Sequence, residues 1–79
     1  MNRRAKLIAE LLALPTTMDF GDVSRVLELY DFELKRFAGS HAIFTDGTAT
    51  LSIPTLSGRA VKRVYLIAIA EALGLGGDT

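Results

Sequence analysis

A chain of 79 residues, 49% of them hydrophobic, can build one small domain around a single core and little more. Without cysteine it has neither disulfide staples nor thiolate ligands, and one histidine cannot form a multi-histidine cluster, so zinc chemistry is excluded and no metal or cofactor is expected. The formal charge is zero but segregated: positions 7–34 hold one cation against six acids, a net −5, whereas positions 35–70 hold five cations against Asp46 alone, a net +4.

The N-terminus is basic at Arg3, Arg4 and Lys6 but lacks a signal-peptide cleavage pattern, and no apolar run is long enough to span a membrane. A cytoplasmic protein without membrane contact is the expectation. Asn2 is placed to cap a first helix running to about Ala13, with Leu7, Ile8, Leu11 and Leu12 on one stripe, and Pro15 ends it. The three cations occupy the helix end that disfavours positive charge, so they serve either a phosphate-binding surface or the solubility of a mobile terminus. Asp19 caps a second helix that ends near Tyr30, with Phe20, Val23, Val26, Leu27 and Tyr30 on its apolar face.

From Phe32 the apolar period changes from that of a helix to that of a strand. Three strands follow, over 32–37, 40–45 and 48–53. A tight turn at Ala38-Gly39 joins the first two, and Asp46-Gly47 is a hairpin signal that makes the last two antiparallel neighbours. Alternation puts Phe32, Leu34, Ala42 and Phe44 on a covered face and Lys35, Phe37, His41 and Ile43 on the open one; a bulge at 38–40 would invert that assignment. After Pro54, Ser57 caps a last helix over 59–73 whose buried face is Val61, Val64, Tyr65, Ala68 and Ala72, with Ile69 and Leu73 alongside. Arg59, Lys62 and Arg63 share a surface on its first two turns, and Gly74 closes it before a frayed tail over 76–79. The expected architecture is a two-layer α+β domain: a three-stranded antiparallel sheet with helices on one face and the other face available to a ligand.

The tract from Phe32 to Phe44, with Gly39-Ser40-His41 and Phe44 as its most specific part, is followed by Leu51-Ser52-Ile53-Pro54 and a basic-apolar helix. Together these resemble the HicA family of toxins from bacterial type II toxin–antitoxin systems. The resemblance covers about residues 20–75. It implies one domain with a core over 19–75 in an α-β-β-β-α fold like double-stranded RNA-binding domains, and residues 1–14 as a helical extension. It further implies metal-independent endoribonuclease action on mRNA, neutralisation by a HicB-type antitoxin, and no DNA binding by the chain alone. The family's catalytic histidine maps onto His41, and its motif glycine and serine onto Gly39 and Ser40. After the strand-ending proline, where many relatives carry a further histidine and lysines, this chain has Thr55 and Leu56.

Histidine suits the proton transfers of RNA cleavage because an imidazole titrates at about pH 6.5, close to working pH. One histidine fills one role at a time, so Lys35, Arg36 or the cations Arg59, Lys62 and Arg63 must stabilise the phosphorane-like transition state, with Ser40 binding phosphate or orienting the imidazole. A lone strand histidine is by itself weak evidence; the motif reverses that weighting. Two other readings fit the same residues. In one, the five cations bind phosphates and Phe37 stacks on a base without cleavage. In the other, Phe37 and Ile43 form a protein interface.

Overall fold

The computed structural model describes residues 2–75. The chain runs α1 (Arg3–Leu12), β1 (Thr17–Asp19), α2 (Phe20–Leu29), β2 (Glu33–Ala38), β3 (His41–Thr45), β4 (Thr50–Pro54), β5 (Ala60–Lys62) and α3 (Arg63–Ala72). It is a small α+β domain with a three-stranded antiparallel sheet in the order β2-β3-β4, joined by a separate two-stranded ribbon of β1 and β5.

Local chemistry explains where the helices begin and end. The Asn2 side chain accepts from the Ala5 N–H at 2.7 Å, and the Asp19 carboxylate accepts from the Gly21 N–H at 2.9 Å, so both early helices start at the residues expected of them. Helix α3 ends in a Schellman motif: Gly74 has φ +75°, its N–H donates to the Glu71 carbonyl, and the Leu75 N–H donates to that of Ala70. Helix α2 ends the same way on Asp31, at φ +69°, with the Phe32 N–H donating to the Leu27 carbonyl. Leu27 and Phe32 are both buried, which supplies the apolar contact that accompanies such a cap.

One core holds the elements together. Ala42, Phe44 and Ile53 from the sheet pack with Val23, Val26 and Leu27 of α2 and with Leu66, Ile69 and Ala70 of α3. Leu7 and Leu11 bring α1 into the same cluster, so the N-terminal helix is part of the core rather than an appendage. Each buried Val, Leu, Ile or Phe of this core contributes roughly 1.5–3 kcal/mol. Phe20 bridges two sheet aromatics, its ring centroid 5.5 Å from that of Phe37 and 6.0 Å from that of Phe44.

The structure corrects the sequence reading in four places. The last helix starts at Arg63, not Arg59, because residues 60–62 are drawn out as β5 against β1, pairing Met18 with Val61. Ser57 does not cap it: Ser57 and Gly58 have φ +55° and +71°, the conformation of a tight reversing turn, and Lys62 occupies the cap position without a side-chain bond. The buried face of α3 is consequently Leu66, Ile69 and Ala70, while Val64 is 60% exposed and Ala68 and Ala72 face out. The connection between β3 and β4 spans residues 46–49, longer than a two-residue Asp-Gly turn, because Asp46 Oδ1 accepts from the N–H groups of both Thr48 and Ala49 and folds the loop around itself.

The fourth correction concerns the sheet faces. The β2–β3 register shifts between Leu34 and Arg36, leaving Lys35 as the extra residue of a bulge. Beyond it Arg36 pairs with Ile43 and Phe37 with Ala42, so Phe37 joins the covered side, against Phe20, instead of the open face. Residues 76–79, expected as a frayed tail, lie outside the described residues. No helix among the described residues is long and apolar enough to cross a membrane.

Candidate functional site

Three rows of paired residues make up the open face. Ala38, His41 and Pro54 form one end, Arg36, Ile43 and Ser52 the middle, and Glu33, Thr45 and Thr50 the other end. The opposite face carries Leu34, Phe44 and Leu51 in one row and Phe37, Ala42 and Ile53 in the next, and it meets the helices. His41 is therefore the first residue of the central strand, exposed, and on the side that no helix covers.

A two-residue loop delivers it there. Ala38 pairs with His41 across Gly39-Ser40, and Gly39 has φ +64°, the glycine-first pattern of a type II′ hairpin. Glycine is required by that dihedral angle alone, since a Cβ at the site would meet nothing within 4 Å. The loop is pinned from the other side by Thr55. Its Oγ1 donates to the Ser40 carbonyl at 2.7 Å and accepts from the Gly58 N–H at 2.9 Å, and its own N–H donates to the same Ser40 carbonyl at 3.0 Å. Thr55 is the one buried polar side chain among the described residues, at 9% exposure. It locks the Gly39-Ser40-His41 turn to the turn that follows β4.

The cations expected to serve one phosphate site divide into three groups. Arg36 lies on the open face diagonal to His41, a relation that separates Cα atoms by roughly 7–8 Å, and Lys35 is at the bulge beside it. Arg59 sits in the turn after Thr55, at the same end of the sheet, and its carbonyl accepts from the Phe20 N–H at 2.8 Å. Lys62 and Arg63 do not join them. Lys62 pairs with Thr17 in the ribbon, and the Arg63 guanidinium is committed to the α1–β1 connection, donating to the Leu14 carbonyl at 2.8 Å and the Pro15 carbonyl at 3.3 Å. Their i, i+1 spacing straddles a strand–helix junction, so the helical surface expected from Arg59, Lys62 and Arg63 does not exist.

Acidic groups gather at the far end. Glu28, Asp31 and Glu33 line one depression, and Asp46 lies at that same end, in the β3–β4 loop just beyond Thr45, the last residue of the central strand that His41 begins. The open face thus runs from Glu33 at one end, through Arg36 in the middle row, to the His41 imidazole at the other. The Asp46 carboxyl is held below the usual carboxylate range, chiefly by the Ala49 N–H and then by that of Thr48.

From sequence alone Thr55 reads only as part of the connection after Pro54, with Ser57 as the expected cap. A signal for it was available: a Thr three residues before a Gly can bond that backbone N–H in a local turn. No protein-family model, no curated protein and no solved structure matches this chain.

Proposed function

We propose that the chain is a metal-independent endoribonuclease of the HicA toxin type, acting on mRNA in the cytoplasm through His41 on a double-stranded-RNA-binding-domain-like fold and neutralised by a HicB-type antitoxin. The observation that carries this reading is the exposed His41 imidazole on the uncovered sheet face with Arg36 diagonal to it. In the reaction a base takes the proton of the RNA 2′-hydroxyl, the 2′-oxygen bonds to phosphorus, and the 5′-oxygen leaves with a proton. The products are a 2′,3′-cyclic phosphate and a free 5′-hydroxyl. His41 performs one of the two proton transfers, a contribution of about 10²- to 10⁴-fold in rate. Arg36 and Lys35 stabilise the charge that builds on the phosphoryl oxygens, and Arg59 holds a neighbouring phosphate. Gly39 and Ser40 set the imidazole at the sheet end, and their turn is held by Thr55.

The test is cleavage of a long single-stranded RNA by purified wild type and His41→Ala, each with and without chelator. The expected result is cutting by the wild type in both conditions, with cyclic-phosphate ends, and none by the variant at equal RNA affinity. Cutting that survives His41→Ala removes His41 from the mechanism. RNA binding by both proteins with cutting by neither selects an RNA-binding module instead.

A further inference from the structure

We propose that the chain forms a two-fold symmetric dimer by pairing β4 with β4 of a second copy, which joins the two sheets into one of six strands. Among the described residues β4 pairs with β3 alone, so its outer edge offers unpaired backbone groups. The alternation of the ladder identifies them. The Thr55 N–H donates to the Ser40 carbonyl and the Asp46 N–H to the Ala49 carbonyl, which turns residues 49, 51, 53 and 55 toward β3 and residues 50, 52 and 54 outward.

A second copy fits that edge in one register. With the two-fold axis at Ser52, each Ser52 donates to and accepts from its equivalent, and each Thr50 N–H donates to the Pro54 carbonyl of the other copy. A proline on an edge ordinarily blunts pairing because it has no N–H to give. Here it stands opposite Thr50, whose outward N–H needs only an acceptor, so every outward N–H of the strand finds a partner. Charge points the same way. Positions 47–58 hold no charged residue, so the edge lacks the lysine or glutamate that usually guards one and offers nothing for a charged partner to recognise.

The layer behind the edge is also self-complementary. Leu51 and Ile53 flank a shallow groove against Tyr65 and Ala68 of α3, and in the dimer Leu51 of each copy lies opposite Ile53 of the other, extending that apolar strip across the axis. Val64, Ala68 and Ala72 follow one another four residues apart along the exposed side of α3, small enough for the two α3 helices to lie side by side. Apolar exposure there, with Val64 at 60%, is what burial by a second α3 would remove. At a strand separation of about 4.8 Å and a rise of about 3.4 Å per residue, the two His41 side chains come to the same open face roughly 20 Å apart. The dimer does not depend on whether His41 cuts RNA.

Sedimentation equilibrium of the purified chain tests it, with Ser52→Pro, Ser52→Lys and Ser52→Glu compared with wild type. Ser52→Pro removes only an outward N–H and leaves the β3 ladder intact, so its circular dichroism should match wild type while dimerisation weakens by about 10- to 100-fold. Ser52→Lys and Ser52→Glu each set like charges face to face at the axis and should be monomeric alone; mixed, they should restore a dimer. If Ser52→Pro does not fold, the Lys and Glu pair decides the matter by itself. A wild type that stays monomeric up to about 1 mM, or a dimer indifferent to all three substitutions, overturns the proposal.

Discussion

Thr55 ties two backbone segments that only meet in three dimensions, and its hydroxyl has no slack: one bond given to Ser40, one taken from Gly58. Thr55→Val keeps the volume, removes both bonds and leaves the Gly58 N–H without its acceptor, so stability should fall by about 1–3 kcal/mol in chemical denaturation. Because the Ser40 carbonyl is also held by the Thr55 N–H, the fold should survive, with the Gly39-Ser40-His41 amide resonances shifted most. Asp31 presents the opposite case. A non-glycine residue at φ +69° is strained, and a carboxylate at a helix C-terminus opposes the helix dipole, so Asp31→Gly should raise stability by roughly 1 kcal/mol and increase the thermal midpoint. His41, by contrast, makes no side-chain hydrogen bond within the described residues, so His41→Ala should leave stability within about 0.5 kcal/mol of wild type.

At the scale of elements, the β3–β4 loop is an acid-sensitive part of the sheet. The native Asp46 carboxyl is held low by the Ala49 and Thr48 N–H groups, so its folded pKa lies below its unfolded one. The stability that this difference supplies is fully present above the ordinary carboxylate range and is lost as pH falls through the depressed native value. Asp46→Ala should therefore destabilise the protein at neutral pH and flatten the acid side of its stability–pH curve, read from denaturation midpoints between neutrality and strong acid. Helix starts and stops were legible in the sequence because they are settled within a few residues: Asn2 and Asp19 cap as expected, and Gly74 closes α3. The start of α3 was not legible. Residues 60–62 have an acceptable helical pattern on their own, and what draws them into β5 is the presence of the distant β1, whose Met18 pairs with Val61, together with the Arg63 guanidinium clasping the Leu14 and Pro15 carbonyls.

Over the whole molecule the charge segregation sets Glu33, with Asp46 in the loop beyond it, at one end of the open sheet face and Arg36 in its middle row, on the way to His41 at the other end. A single-stranded RNA held by Lys35, Arg36 and Arg59 should give a slope of log K against log salt of roughly −2, and Arg36→Ala should lower its magnitude by about 0.7. Lys62→Ala should leave the slope unchanged in the same titration, since Lys62 belongs to the ribbon and not to the sheet that carries His41.

By itself the amino-acid order determined the α+β class, three of the helix caps, the three sheet strands and the exposure of His41, because caps, turns and apolar periodicity are local interactions whose partners are only a few residues away. Tertiary structure alone decided which way Phe37 faces, which arginines reach the His41 end, and that Thr55 rather than Ser57 is the polar anchor. Each of these depends on where a distant segment happens to dock: the bulge at Lys35 is a matter of register against β3, and Arg63 is withdrawn by carbonyls nearly fifty residues away in the chain. Pairings of that reach leave no mark in periodicity, since the same residues would satisfy either arrangement until the rest of the core is built.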